Sequence, residues 1–221
     1  MVRAPDSPPD GLIVSSCGVR RLELFVAEPE LSVDFFAGVL GWTVLAEPGG
    51  SFSGWVGDRL AAQVVVGDAG WRVVFGGDGP RGLELNSAVD SGRVLHGPWA
   101  PPPRHGEPCW VELGSGDSGY WVRELGWESV PGGLFSSSRA GESRVVAGCA
   151  GEGGSGAGWG VFFAVDDLES ALVRVSRWDG EVVSGPVSSA RGVVASISGP
   201  RGGRCVLLER PSGWGGVLVG A

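Results

Sequence analysis

No lysine occurs among the 221 residues, so arginine supplies all 17 basic side chains. Against 25 acidic residues this leaves a formal net charge of −8. Such a surface repels polyanions, which argues against nucleic acid and anionic membranes as partners. It is compatible with a cationic ligand, although solubility alone accounts for it. Histidine is scarce too. His96 and His105 both fall in a Pro/Gly-rich stretch and read as solvent-exposed linker residues. The cysteines Cys17, Cys109, Cys149 and Cys205 are far apart and form no CxxC pair, which argues against a sequence-local zinc or redox motif. They read as buried small hydrophobes in a reducing cytoplasm, where the chain is expected to reside. The first ten residues hold no apolar run, so neither a signal peptide nor a membrane span is expected there. The glycine-rich stretch Gly151–Gly158 lacks lysine and a GK[ST] turn, and reads as a loop, not a phosphate cradle.

What is present is a core-forming composition, with 43% hydrophobic and 19% charged residues, and an internal repeat. Trp71 to Pro98 aligns with Trp159 to Pro186 without a gap at an offset of 88, with eight identities in 28 positions. These include Trp71/Trp159, Phe75/Phe163, Gly92/Gly180 and the two Gly-Pro ends. Upstream, Leu40-Gly41-Trp42 corresponds to Leu125-Gly126-Trp127. The chain therefore divides into a tail over residues 1–18, a first copy over 19–103, a second over 107–212 and a tail over 213–221, with a stiff linker at Pro101-Pro102-Pro103.

Each copy has halves that open on a β-branched or aromatic run: Val19–Val26, Trp71–Phe75, Cys109–Leu113 and Val161–Val165. Helical spacing follows at Leu31–Leu40 and Asp167–Trp178, and then come strand-like runs. The unit reads as βαβββ in an α+β fold of mostly antiparallel sheets. The first copy runs into the proline linker after Pro98 and is read as truncated, without its last hairpin.

Val26 to Trp42 (VAEPELSVDFFAGVLGW), Phe162 to Leu168 and the Gly199-Pro200-Arg201-Gly202 turn resemble elements of the vicinal-oxygen-chelate (glyoxalase/bleomycin-resistance/dioxygenase) superfamily. In layout the chain is most similar to two-domain actinobacterial glyoxalase-like proteins. The resemblance implies paired modules curled into cup-shaped sheets around a ligand. It also places metal ligands at positions that here hold Arg21, Trp110, Gly160 and Val206, which argues against metal chemistry and for no cofactor.

Strand alternation puts Arg21, Glu23 and Phe25 on the face that carries ligands in the family, and Trp110 and Glu112 on the same face of the second copy. Glu23 and Glu112 are the candidate bases if the protein is an enzyme, and otherwise members of ordinary ion pairs. Arg21, Phe25, Trp55, Trp110 and Phe162 are the candidate ligand-binding residues. Trp42, Trp127 and the sole tyrosine, Tyr120, read as packing residues. The leading expectation is a metal-independent binder of an aromatic or cationic natural product or antibiotic. The alternative is a metal-free isomerase, cyclase or lyase, and a third reading is an interaction module. The first cup is expected either to stay open or to be filled by strands of the second copy, and a homodimer is a further candidate arrangement.

Overall fold

The computed structural model describes residues 16–68, 70–114, 116–150 and 158–216. The first copy contains β1 (Val19–Val26), α1 (Pro29–Leu40), β2 (Thr43–Glu47), β3 (Ser51–Val56), β4 (Arg59–Val66), β5 (Gly70–Gly76), β6 (Arg81–Leu83) and β7 (Ser87–Asp90). The second contains β8 (Pro108–Leu113), α2 (Ser118–Leu125), β9 (Glu128–Val130), β10 (Leu134–Arg139), β11 (Glu142–Cys149), β12 (Trp159–Val165), α3 (Leu168–Arg177), β13 (Glu181–Ser189), β14 (Gly192–Gly199) and β15 (Gly202–Glu209). No helix among the described residues is long and apolar enough to cross a membrane.

Local chemistry explains the helices. In α1, Pro29 occupies the first turn, where its missing N–H costs nothing, and Gly41 closes the helix in the left-handed region at φ 72°. In α2 the Asp117 side chain accepts from Gly119 N, and Gly126 ends the helix at φ 63°. The repeated Leu-Gly-Trp is thus a helix stop followed by a buried indole. Trp42 Nε1 donates to Gly106 O and Trp127 Nε1 to Ser16 O, each at 2.7 Å. Both tryptophans pack in the core, as expected. Tyr120 also packs, edge-on to Trp121, and its hydroxyl accepts from Glu84 N at 3.1 Å.

The strands form two mixed sheets, ordered β2-β3-β4-β1-β5-β7-β6 and β13-β14-β15-β12-β8-β11-β10-β9. Both are organised alike. β1 is parallel to β4 and antiparallel to β5, as β8 is to β11 and β12. β5 is parallel to β7, as β12 is to β15. The first copy is truncated, as expected, but the pairing moves the missing part away from the last hairpin. β6 and β7 stand where β14 and β15 stand, so the first copy keeps a shortened last hairpin and lacks a helix and an outermost strand. Only ten residues separate β5 from β7, too few for a helix and a further strand.

The expectation that both histidines are exposed also fails. His96 is buried, bridged to Val19 and with Nε2 2.8 Å from Leu60 O. The linker is held against the first copy by backbone pairing, and that carries the imidazole inside. His105 is half-buried, its Nδ1 accepting from Asp166 N at 3.1 Å. Of the cysteines, Cys109 and Cys205 are buried, and burial pushes both thiols far up. Most of Gly151–Gly158 lies outside the described residues, as do residues 1–15 and 217–221 of the tails.

Candidate functional site

Register fixes which side chains share a face. In the second sheet Trp110 is opposite Phe162, Glu112 is opposite Gly160, and Phe162 is opposite Val206. Side chains directly opposite one another point to the same side, so these residues line one face. The other face carries Trp159, Val161 and Phe163 into the core. Two adjoining cavities of about 670 and 410 Å³ share Glu112, Phe162, Ser196 and Val206 in their walls.

Glu112 anchors this face. Its Oε2 accepts from Trp110 Nε1 at 3.3 Å and from Arg191 Nε at 3.4 Å. The Arg191 guanidinium sits 3.8 Å above the Trp110 ring centroid, within cation–π range. Burial lowers the Arg191 pKa, and the neighbouring Glu112 charge opposes that shift. Gly148, opposite Glu112, keeps room for the pair, since a Cβ there would stand 2.9 Å from Glu112 Oε2. Trp110 itself is fully buried. Trp214 from the C-terminal tail lies 6.0 Å away, centroid to centroid, and Gly215 N donates to Cys109 O. Trp110 is therefore a floor beneath Arg191 and Trp214. Phe162 is the aromatic side chain common to both cavities, and Trp71 and Trp159 also line the larger one.

The matching face of the first copy is occupied by its own charges. Glu23 is opposite Arg72, and Arg21 is opposite Val74. Arg21 makes 2.6 Å contacts to both Glu23 and Asp90, and Arg72 approaches Glu23 at 3.7 Å. Burial tends to lower the Arg21 pKa, but its bonds to Asp90 and Glu23 outweigh that and raise it. Phe25 lies under Arg72 at 5.9 Å. Trp55 donates to Ser53 Oγ at 2.9 Å, and Ser53 donates in turn to Glu47. The structure thus splits the expected residues: Glu112, Trp110 and Phe162 meet on one face, while Arg21, Glu23 and Phe25 meet on another.

Sequence reasoning missed Arg191 and Trp214. Arg191 sits in the β13–β14 turn and Trp214 in the tail. Neither position carries a periodic or motif signal, because each reaches the site only through tertiary packing.

The family's metal positions on β8, β12 and β15 hold Trp110, Gly160 and Val206, none of which offers a lone pair suited to a divalent ion. Among the described residues no three His, Cys, Asp or Glu side chains converge as a ligand set. The residues present therefore do not fit the metal that the family's enzymes use.

The fold is shared with solved dioxygenases. A variant of homoprotocatechuate 2,3-dioxygenase from Brevibacterium fuscum superposes with a TM-score of 0.61 at 13% identity, covering 90% of this chain and 73% of that one. An extradiol ring-cleaving dioxygenase from B. fuscum gives 0.60 at 13% identity, over 94% and 76% of the two chains. BphC, a halotolerant catechol dioxygenase, gives 0.56 at 14% identity and 90% coverage of both. At these identities the likeness is one of fold. No curated protein matches the chain in sequence. The model of the Glyoxalase/Bleomycin resistance protein/Dioxygenase superfamily matches residues 18–207, and the chain belongs to that superfamily.

Proposed function

We infer that this protein binds a small organic molecule, of the natural-product or antibiotic kind, in the cup of its second copy and without a metal. The observation that carries this reading is the Glu112–Arg191 pair on the Trp110 ring, bordering two joined cavities whose metal positions hold Trp, Gly and Val. Phe162 and Val206 offer apolar surface to a ligand, and the ion pair offers a charged donor beside a charged acceptor. Ring cleavage of the kind that names the structural neighbours would need ligands that this face does not supply.

A metal-free enzyme would use Glu112 as a base. Its carboxylate is already engaged by Arg191 and the Trp110 N–H, an arrangement suited more to orienting a ligand than to removing a proton.

Native mass spectrometry of protein purified from its own host, with metal analysis of the same sample, tests the reading. The expected result is a co-purifying organic molecule, released unchanged, with metal well below stoichiometric. Glu112→Gln should then weaken rebinding of that molecule by about tenfold, measured by tryptophan quenching. A stoichiometric transition metal, or conversion of the molecule on incubation, would overturn it.

A further inference from the structure

A cavity of about 830 Å³ is walled by the first copy and the proline linker, with Arg139 as its lining residue from the second copy, and its lining shares no residue with the cup cavities. It is lined by Arg59, Arg93, Arg104 and Arg139, with Trp99 and Leu95 among its apolar neighbours. Gathering four guanidiniums around one cavity is unexpected in a chain of net charge −8.

Two of the four are fixed by partners. Arg59 bonds Glu107, which is fully buried, and the carbonyls of Pro101 and Pro102. Arg104 bonds the same Glu107, Asp58 and Val56 O. Arg93 and Arg139 have no carboxylate partner among the described residues and are exposed. Asp58 and Glu107 thus leave two positive charges in excess at this cavity. The two unpaired arginines come from different copies: Arg93 follows β7, and Arg139 ends β10. A concave cationic site on an otherwise anionic molecule focuses potential and draws small anions. Arginine's planar fork matches carboxylate and phosphate oxygens. Trp99, Leu95 and the Pro101–Pro102 wall give an apolar body somewhere to rest.

We propose that this seam cavity is a second binding site, for a small organic anion with an apolar body, its carboxylate or phosphate held between Arg93 and Arg139. A ligand there ties one copy to the other. This goes beyond the reading of the cup, and either can fail without the other.

Calorimetric titration of the full chain with phenyl phosphate, benzoate and uncharged benzyl alcohol tests the site. Binding of either anion, weakening as sodium chloride rises from about 50 to about 500 mM, with none for benzyl alcohol, is the expected result. The double variant Arg93→Ala/Arg139→Ala should weaken anion binding by about tenfold or more. The charge-matched control Arg123→Ala/Arg177→Ala should leave it unchanged. Equal binding by the Arg93/Arg139 variant, equal loss in the control, or no anion binding at all would overturn the proposal. Phenyl phosphate alone would assign phosphate as the group, and both anions would assign charge as the criterion.

Discussion

The imidazole of His96 is almost wholly sealed from water, and its Nε2 lies 2.8 Å from Leu60 O, so it is held neutral with that nitrogen as donor. Burial lowers its pKa from 6.5 to about 4. Between those values the unfolded chain takes up a proton that the folded chain refuses, so stability is present above pH 6.5 and drains as pH falls toward 4. The loss over that window is about 3 kcal/mol. Urea denaturation at several pH values should show this slope in the parent and a flatter one in His96→Gln. Parallel slopes would mean that the histidine is not the titrating group. At the same scale, Glu23 and Glu112 occupy matching positions with different fates. Glu23 is flanked by Arg21 and Arg72, whereas Glu112, among the described residues, pairs with Arg191 and has open volume beside it.

Among the elements, the segment after β15 covers the floor of the cup. Trp214 is nine-tenths buried against Trp110, and its Nε1 donates to Val146 O at 2.9 Å. Arg191 Nη1 reaches Gly215 O from the other side. Trp214→Ala removes this cover at a cost of about 3–5 kcal/mol. It should also raise the acrylamide-accessible fraction of tryptophan fluorescence by exposing Trp110. An unchanged accessible fraction would show that Trp110 is sealed by other contacts. The repeat-matched glycines show how one residue type serves two ends. Gly92 adopts φ 118° in a turn, whereas Gly180 lets Phe35 approach, since a Cβ there would stand 2.3 Å from Phe35 Cε2. The match in sequence does not carry a common geometric reason.

For the whole molecule, the two copies pack through a reciprocal contact. Phe163 of the second copy sits 5.6 Å from Trp42 and 5.5 Å from Trp71 of the first. Phe75 of the first sits 5.2 Å from Trp127 and 5.1 Å from Trp159 of the second. These are the repeat-equivalent residues exchanged, as across the two-fold axis of a symmetric dimer. One contiguous core spans both copies, so the chain should unfold in a single transition, with far-UV circular dichroism and tryptophan fluorescence coincident. Phe163→Ala should destabilise it by about 3–5 kcal/mol without splitting that transition. Two separated transitions would mean that the copies fold independently.

The fold was largely legible in the sequence because its signals are local. Strand alternation, the helical spacing of Leu31–Leu40, the Leu-Gly-Trp stops and the 88-residue offset each depend only on nearby residues or on self-similarity. Half of the cup was legible for the same reason, since alternation along β8 places Trp110 and Glu112 on one face. The rest depends on which distant segments meet. Only the tertiary structure decided that Arg191 and Trp214 close over Trp110, that His96 is buried, and that Arg93 and Arg139 face one cavity. A side chain's protonation, exposure and partners are set by what desolvates it and what charge lies within a few ångströms. In this chain such neighbours include groups 135 residues apart, as Arg174 and Val39 are.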